Sequence, residues 1–292
     1  MFEKKLIVIL GPTGSGKSEM AVKIAQKINA EIISADSRQA YKGMDIGTGK
    51  IATKEMQGIP HHLLDISLPN KIFTVAQYRK LALKAINKIF KKGKMPILCG
   101  GTGFYVQAII DGITVPKVKP DWKLREKLEK KSLEELFTQL KKLDPKRAET
   151  IDKKNQRRLI RALEIIIKTK KPVPETNKKP LPYPVLILGI KLEKKELEKR
   201  IEKRVEKMFK MGLEKEIRNL VKKYNWIPAL QTIGYQEWKP YFENKINKEG
   251  VKKNIILHTK QFVKCQMTWF KRDKRIHWVK NYNEAKNFVK SF

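Results

Sequence analysis

The sequence predicts an α/β fold in which helices flank a parallel sheet and an all-helical domain is inserted into the chain. Two observations support this prediction. Over residues 1–115, short apolar runs alternate with helical patterns, which is typical of parallel strands joined by crossover helices. Over residues 116–184 the pattern changes to charged helices between proline-containing ends, and a strand signal returns afterwards. We therefore predict a discontinuous core domain, residues 1–115 and 185–292, and a helical insertion, residues 116–184.

The first 115 residues contain alternating strands and helices. The predicted elements are a strand at 6–10, a helix at 19–29, a strand at 31–34, a helix at 75–91, a strand at 95–99 and a helix that ends near 110. In parallel sheets, ligands collect at the carboxyl ends of the strands. Three loops, 11–18, 35–39 and 100–103, are therefore expected to converge on one edge of the sheet.

A phosphate-binding loop follows the first strand. It matches the pattern G-x-x-x-x-G-K-S and consists of Gly11, Pro12, Thr13, Gly14, Ser15, Gly16, Lys17 and Ser18. In this motif, backbone N–H groups and the positive end of the next helix hold phosphate oxygens. Lys17 supplies a positive charge to the terminal phosphate, and Ser18 supplies a hydroxyl ligand for Mg²⁺. The sequence therefore predicts a P-loop NTPase-like sheet that binds a di- or triphosphate.

Asp36 lies just past the second predicted strand, beside the phosphate-binding loop. A carboxylate at this place can hold Mg²⁺, or it can act as a general base on a nucleophile brought to the phosphate-bearing substrate. The alternative is that Asp36 only caps the next turn. The adjoining Ser37, Arg38 and Gln39 have side chains suited to hydrogen bonds with base edges.

The segment Gly100–Gly103 follows a third strand at the same edge. Its glycines leave the backbone unhindered, and Thr102 adds a hydroxyl, so the segment is a candidate second clamp for a phosphate. Glycine pairs after strands are common, and a plain turn remains the alternative.

The insertion contains an arginine cluster on one predicted helix. At 100° per residue, Arg157, Arg158 and Arg161 fall within a 100° arc, and apolar residues take the opposite side. The apolar side anchors the helix. The arginine side is either solvated surface or a contact for a phosphate backbone, and Arg125 in the 121–131 helix can extend it.

The charge balance favours a polyanionic partner. The chain has 65 Lys and Arg against 30 Asp and Glu, a formal net charge of +35, and such an excess repels itself in isolation. Residues 116–292 hold 48 basic and 22 acidic side chains, against 17 and 8 in residues 1–115. Nucleic-acid binding by the C-terminal part is therefore expected, with a generally lysine-rich proteome as the alternative.

Cysteine usage and hydropathy exclude two other classes of protein. Cys99 and Cys265 are far apart and lack metal-ligand spacing, which excludes a disulfide framework. No apolar stretch approaches the roughly 20 residues that a membrane span needs. His61 and His62 have no carboxylate or cysteine at ligand spacing, and we interpret them as structural. A cytoplasmic protein is expected.

After the insertion, the apolar run 185–190 is predicted to return to the sheet. A long helical stretch, 193–224, follows and is interrupted at Gly212. Arg218 lies in this stretch, and its spacing alone indicates an ordinary surface arginine. Trp269 and Phe270 adjoin basic residues, and a buried pair that closes the core is favoured over a platform for base stacking.

Together these motifs resemble the bacterial tRNA dimethylallyltransferase family, also called tRNA isopentenyltransferases, over nearly the whole chain. The matching blocks are 11–18, 33–48, 60–65, 100–105, 156–158 with 161–164, 212–220, 232–235 and 266–270. Their order and spacing are far more specific than the phosphate-binding loop alone.

The resemblance implies transfer of a dimethylallyl group from dimethylallyl diphosphate to the exocyclic amine of the adenine 3′ to the anticodon, with release of diphosphate. The phosphate-binding loop would hold the diphosphate, with Mg²⁺ on Ser18, so ATP is not the expected substrate. Asp36 would deprotonate the amine. Thr102 would steady the amine, and Arg218 the departing diphosphate.

The resemblance also implies a surface for the anticodon stem-loop of tRNA, from which the target base leaves its stack. The expected contacts are Asp36, Ser37, Arg38, Gln39, Thr102, Arg125, Gln156, Arg157, Arg158, Leu159, Ile160 and Arg161. A monomer is expected.

Two other functions remain open from the residues alone. One is a P-loop kinase of small molecules, a different reaction on the same fold, although no residues for a nucleobase pocket can be named. The other is a non-catalytic RNA-binding ATPase module, which leaves Asp36 and the 100–102 turn without a role.

Overall fold

The computed structural model describes residues 3–114, 116, 118–175 and 178–292. The chain divides into two compact units. The first unit comprises Met1–Gly112 and Pro180–Phe292, and the second comprises Ile113–Lys179. The sequence pattern places these boundaries at 115/116 and 184/185, a few residues later at each end.

The first unit contains a six-stranded sheet within the described residues. Its strands are β1 Leu6–Leu10, β2 Ala30–Ser34, β3 His61–His62, β4 Met95–Gly100, β5 Val185–Ile190 and β6 Ile276–Val279. Their order across the sheet is β3-β2-β4-β1-β5-β6, and every neighbouring pair is parallel. Strand β1 is buried along its whole length, which explains its continuous apolar sequence. The predicted parallel α/β fold is confirmed.

Thirteen helices occur in the described part of the chain. They are α1 Lys17–Lys27, α2 Thr53–Met56, α3 Val75–Lys91, α4 Gly103–Ile110, α5 Trp122–Glu129, α6 Leu133–Leu143, α7 Pro145–Thr150, α8 Gln156–Thr169, α9 Lys194–Lys210, α10 Leu213–Tyr224, α11 Lys239–Phe242, α12 Lys248–Phe270 and α13 Tyr282–Ser291. Helices α5 to α8 lie in the second unit. The other nine belong to the first.

Helices cover both faces of the sheet. Because successive side chains of a strand point to opposite faces, Val8 packs in one cluster with Ile86 of α3, and Ile9 packs in another with Ile24 of α1. A third apolar cluster surrounds the fully buried Trp238 and joins α9, α10 and α12. The loops at the edge of the sheet are therefore held by the sheet and by this helical layer.

In the observed register, the carboxyl ends of neighbouring strands lie side by side. Leu10 of β1 pairs with Gly100 of β4 and with Gly189 of β5, and Ser34 of β2 pairs with Cys99 of β4. The loops after β1, β2 and β4 therefore leave the sheet at the same edge.

The second unit is a small helical domain with its own apolar core. Leu136 and Leu140 of α6 are fully buried together with Leu159 and Leu163 of α8. Each of the helices α5 to α8 begins with a side-chain cap, such as Ser132 at the start of α6.

One carboxylate lies inside this helical core. Glu164 is fully buried and accepts hydrogen bonds from the backbone N–H of Asp121 at 2.6 Å, from two nitrogens of Arg125 at 2.9 and 2.7 Å, and from Arg161. Burial acts to raise the pKa of Glu164. The hydrogen bonds from Arg125, Asp121 and Arg161 outweigh it and lower the pKa to about 2.

We expect Glu164→Gln to destabilise the second unit by about 3 kcal/mol at neutral pH, because two partly buried arginines lose their counter-ion. The folded-state pKa of Glu164 lies below the unfolded value, so its contribution is present above about pH 4.5 and is lost as the pH falls towards 2. Urea unfolding at pH 7 and at pH 3 measures both effects. An equal difference between wild type and variant at the two pH values would contradict the ion-pair account.

Candidate active site

The phosphate-binding loop joins β1 to α1 and contains two glycines in left-handed conformations. Gly14 has φ 83° and Gly16 has φ 87°, values that L side chains rarely adopt. The Ser15 N–H donates to the Pro12 carbonyl at 3.2 Å. The Ser15 hydroxyl is buried and has no hydrogen-bond partner among the described residues. An oxygen of a bound ligand can satisfy such a group, so the loop is suited to an anion.

A cavity of about 220 Å³ lies beside this loop within the first unit. Its polar lining includes Thr13, Asp36, Ser37, Arg38, Thr48, Thr102, Arg204 and Gln266, and its apolar lining includes Val205, Met208, Ile233, Ile255 and Phe262. Residues from all three predicted loops therefore meet here, together with residues of α9 and α12.

Two cations lie close enough to the Asp36 carboxylate for its negative charge to act on them. Burial lowers the pKa of Lys17 and of Arg204, and the negative charge of Asp36 acts in the opposite direction on both. The Lys17 ammonium lies 3.4 Å from the Pro12 carbonyl, and the Arg204 guanidinium donates to the Thr48 carbonyl at 2.9 Å. Two desolvated cations with one carboxylate leave a positive charge for an anionic ligand to neutralise.

Sequence reasoning missed Arg204. It lies among the lysines and glutamates of α9, which resemble a solvated helix face. One signal was present in its position: Arg204 is three residues after Ile201 and four before Met208, both buried, so it lies on the apolar stripe of the helix. A cation on the buried stripe of a helix is costly unless it pairs with an anionic group of the protein or of a ligand.

The Asp36 carboxylate is held by its own turn. Its Oδ1 accepts the N–H of Arg38 at 2.8 Å and the N–H of Gln39 at 3.3 Å. The capping role is therefore present in the structure. Both bonds use Oδ1, and they orient the carboxylate without neutralising it, so a second role for this side chain is compatible with them.

Thr102 connects the loops that follow β2 and β4. Its Oγ1 accepts the N–H of Ser37 at 3.1 Å, and its own N–H donates to the Ala35 carbonyl at 3.1 Å. Gly100 packs on the Ala35 backbone, and a Cβ there would overlap it. The glycine-rich turn therefore joins two loops. Because Thr102 Oγ1 acts as an acceptor in the bond with Ser37, its hydroxyl proton is free to donate to a ligand in the cavity.

Gln266 of α12 ties two of the site loops together. Its Oε1 accepts the Thr13 N–H at 3.0 Å, and its Nε2 donates to the Gly101 carbonyl at 3.0 Å. The side chain is 6% exposed. Its sequence neighbourhood belongs to the family resemblance, but nothing local to it predicted this bridge.

Arg218 does not line the cavity in this structure, and its expected contact with the departing diphosphate stays a prediction. Arg218 is exposed on α10, where Nε and Nη2 donate to Glu214 at 3.0 and 2.7 Å. Its guanidinium lies over the Phe242 ring, 4.6 Å from the centroid. Arg204, unlike Arg218, lines the same cavity as Asp36.

Four of the expected RNA contacts in the second unit take part in its packing or its ion pairs, and their contact with RNA stays a prediction. Leu159 and Ile160 are buried in its core at 0% and 4% exposure, because they lie on the apolar side of α8. Arg125 and Arg161 share the single buried carboxylate of Glu164, which neutralises one of their two positive charges.

Arg157 and Arg158 of α8 are exposed, as the helical spacing predicts. Gln156 donates its side-chain amide to the Glu129 carbonyl at 3.2 Å. The exposed part of the predicted arginine cluster is therefore smaller than its sequence indicates.

The two histidines take part in contacts within the first unit. His61 Nδ1 lies 2.8 Å from the Ile59 carbonyl, and His62 Nε2 lies 2.8 Å from the carboxylate of the buried Glu31. Within the described ranges, no three His, Cys, Asp or Glu side chains are grouped to hold a metal ion. No described helix combines the length and the apolar character needed to cross a membrane.

The glycine-rich G-x-x-x-x-G-K-S loop at the carboxyl edge of a parallel, helix-flanked sheet is typical of P-loop α/β proteins. A family model described as IPP transferase matches residues 39–273. The chain belongs to the IPP transferase family.

Relatives with assigned names agree with this family. The tRNA dimethylallyltransferase of Gloeothece citriformis is 42% identical over 275 residues, which cover 94% of this chain and 90% of the relative. That of Pelotomaculum thermopropionicum is 41% identical over 294 residues, which cover 97% and 93%. The resemblance found in the sequence is confirmed, and the two alternative functions are not favoured.

Solved structures give the same result. The tRNA isopentenylpyrophosphate transferase of Bacillus halodurans aligns with a TM-score of 0.75 at 35% identity and covers 99% of this chain and 96% of its own. A eukaryotic dimethylallyltransferase acting on tRNA aligns with a TM-score of 0.81 at 30% identity, over 95% of this chain and 74% of its own.

Proposed function

We propose that this protein transfers a dimethylallyl group from dimethylallyl diphosphate to the exocyclic amine of the adenine 3′ to the anticodon of tRNA, and releases diphosphate. The observation that carries the proposal is the Asp36 carboxylate beside Lys17 and Arg204 in a cavity at the phosphate-binding loop. The names of the relatives support the choice of donor and acceptor.

The cavity offers different surfaces to the two ends of the donor. On α12, Gln266 contacts the phosphate-binding loop, and Ile255 lies three turns away, about 16 Å along the helix. On α9, Arg204 is one turn from the buried Met208. The diphosphate would lie between the loop and Arg204. The five-carbon group would lie towards Met208 and Ile255, where burial of apolar surface favours it.

Each polar side chain then has a defined task. The new N–C bond forms as the C–O bond to diphosphate breaks, the bonding electrons leave with the diphosphate, and the amine proton passes to Asp36. The amine lone pair is delocalised into the ring, so a proton acceptor within hydrogen-bond reach assists the attack. Lys17 and Arg204 stabilise the charge that develops on the leaving diphosphate. Thr102 would hold the amine.

The phosphate-binding loop also fits Mg²⁺. This ion is usually held by one or two protein oxygens together with substrate phosphates and water. Ser18 presents an exposed hydroxyl at the start of α1, which suits such a sparse set of protein ligands. We therefore propose Ser18 as its ligand. When bound, the ion would supply further neutralisation of the diphosphate.

The RNA partner would be the anticodon stem-loop. Ser37, Arg38 and Gln39 follow Asp36 at the cavity and would contact the nucleotides around the target base, which must leave its stack. A tRNA substrate makes the cytoplasm the expected compartment.

Label transfer tests the proposal. Bulk tRNA is incubated with the protein and either dimethylallyl diphosphate labelled in its hydrocarbon or γ-labelled ATP. We expect retention of the hydrocarbon label in RNA and no retention of the γ-label. Phosphate transfer from ATP would support a kinase instead, and binding of RNA with ATP hydrolysis alone would support an ATPase module.

The exposed arginines of α8 provide a separate test of RNA contact. Replacement of Arg157 and Arg158 by alanine is expected to flatten the dependence of log K on log salt by about 0.7 to 0.9 for each RNA phosphate that an arginine no longer neutralises. Filter binding of tRNA over a series of salt concentrations measures this slope. Arg161 stays unchanged because it holds Glu164. An unaltered slope would show that these arginines are solvated surface.

A further inference from the structure

Glu216 of α10 holds three successive backbone N–H groups of one loop. Its carboxylate accepts the N–H of Asp45 at 3.1 Å, of Ile46 at 2.8 Å and of Gly47 at 3.0 Å. The hydroxyl of the buried Tyr235 donates to the same carboxylate at 2.7 Å. Four hydrogen bonds to one charged group fix the carboxylate and the loop together.

The loop that Glu216 holds, residues 45–49, forms one wall of the Asp36 cavity. Gly47 and Thr48 line the cavity. Gly47 lies against the Tyr235 ring and Gly49 against the Arg204 guanidinium, and a Cβ at either glycine would overlap its neighbour. The loop therefore fills the space between these two side chains and cannot shift without moving them.

The loop that Glu216 holds also contacts the Arg204 guanidinium. The Thr48 carbonyl accepts a hydrogen bond from Arg204 at 2.9 Å. The Gln39 amide donates to the Gly49 carbonyl at 3.3 Å and ties the loop to the segment after Asp36. A displacement of the loop would therefore move the partner of Arg204 and disturb the segment next to Asp36.

From these contacts we infer that Glu216 is a positioning residue for the diphosphate end of the site and acts through the 45–49 loop on Arg204. The inference rests on the proposed function. The negative charge of Glu216 is essential to it, because a glutamine offers one acceptor oxygen and an NH₂ group that would oppose the N–H donors of the loop. Once the loop is released, Arg204 loses its fixed partner and holds diphosphate less firmly.

Binding of inorganic pyrophosphate in the presence of Mg²⁺, measured by titration calorimetry on the full chain, tests this inference without relying on transfer. Glu216→Gln is expected to weaken binding about tenfold, the worth of one hydrogen bond to a charged group. Arg204→Ala is expected to weaken it further. The double variant is expected to bind no more weakly than Arg204→Ala, because Glu216 acts through Arg204.

Glu31→Gln is the matched control. It removes a different buried carboxylate, which pairs with His62, Lys92 and Lys94 and does not line the cavity. This variant is expected to lose thermal stability and to keep its pyrophosphate affinity. If the role of Glu216 were merely structural, its variants would also lose thermal stability and keep their pyrophosphate affinity. If Glu216→Gln does not fold, Glu216→Asp, which keeps the charge but reaches less far, is expected to weaken binding in the same direction.

Wild-type affinity in a folded Glu216 variant, or additive losses in the double variant, would overturn the inference. Failure of the wild type to transfer the dimethylallyl group while it binds pyrophosphate would count against the proposed function and leave the role of Glu216 intact. The two failures are therefore distinguishable.

Discussion

Replacement of Asp36 by asparagine is expected to lower the single-turnover rate of transfer by about 10²- to 10⁴-fold, the usual worth of a general base. Asparagine keeps an oxygen that can accept the N–H groups of Arg38 and Gln39, so the turn should persist. It cannot accept the amine proton. Rapid-quench measurement with saturating tRNA and dimethylallyl diphosphate separates this chemical step from binding.

Binding of both substrates to Asp36→Asn is expected to stay within a few-fold of the wild type. Asp65→Asn is a matched control, because Asp65 is a neighbouring exposed carboxylate that pairs with Lys50 and does not line the cavity. Near-normal chemistry in Asp36→Asn would eliminate Asp36 as the base. Loss of diphosphate affinity with little loss of rate would make it a Mg²⁺ ligand.

Replacement of Lys17 by alanine is expected to lower kcat/KM for dimethylallyl diphosphate by about 10²- to 10³-fold, similar to the loss of one group that stabilises developing negative charge. Desolvation of Lys17 makes its attraction to a diphosphate stronger than that of an exposed lysine. Affinity for tRNA should hardly change, because the Lys17 ammonium lies within the phosphate-binding loop, next to the Pro12 carbonyl. Steady-state kinetics and filter binding give the two quantities.

Lys23→Ala provides the control for charge removal, since Lys23 lies on the same helix but is exposed and pairs with Glu19. It is expected to behave as the wild type. Unchanged turnover in Lys17→Ala would show that the loop is not the diphosphate site. A loss of tRNA affinity equal to the loss of kcat/KM would place the RNA backbone there instead.

The strands of the sheet were predictable where they are buried on both faces. Strands β1, β4 and β5 are continuous apolar runs, and the sequence places each of them within one residue of its observed bounds. Strand β6 and helix α12 were not predicted. β6 has four residues with an exposed His277 inside it, and α12 buries the polar Thr259 and Gln266, so neither has a regular apolar period.

The site was predictable where its residues follow the ends of strands. The phosphate-binding loop, Asp36 and Thr102 are each next to a strand in the sequence, and parallel pairing brings them together. Arg204 and Gln266 reach the cavity from helices far along the chain, so only the tertiary structure could place them.

The second unit contains an ion pair that the sequence pattern did not predict. The helical spacing of Arg161 marks a surface residue, but its partner Glu164 lies on the buried side of the same helix. A buried carboxylate is costly unless cations lie nearby to pair with it. Arg125 is a second cation that pairs with Glu164. Attention to the buried acid, rather than to the arginines alone, would have revealed the pairing.

Two anticodon stem-loops that differ only in the base 3′ to the anticodon provide the most direct test of the transfer reaction. One contains adenine, and the other contains a purine without the exocyclic amine. Each is incubated with the protein and dimethylallyl diphosphate labelled in its hydrocarbon, and the label retained in RNA is counted. The proposed reaction predicts label in the adenine RNA alone, with similar affinity for both RNAs. Equal label in the RNA that lacks the amine, or no label in either, would contradict it.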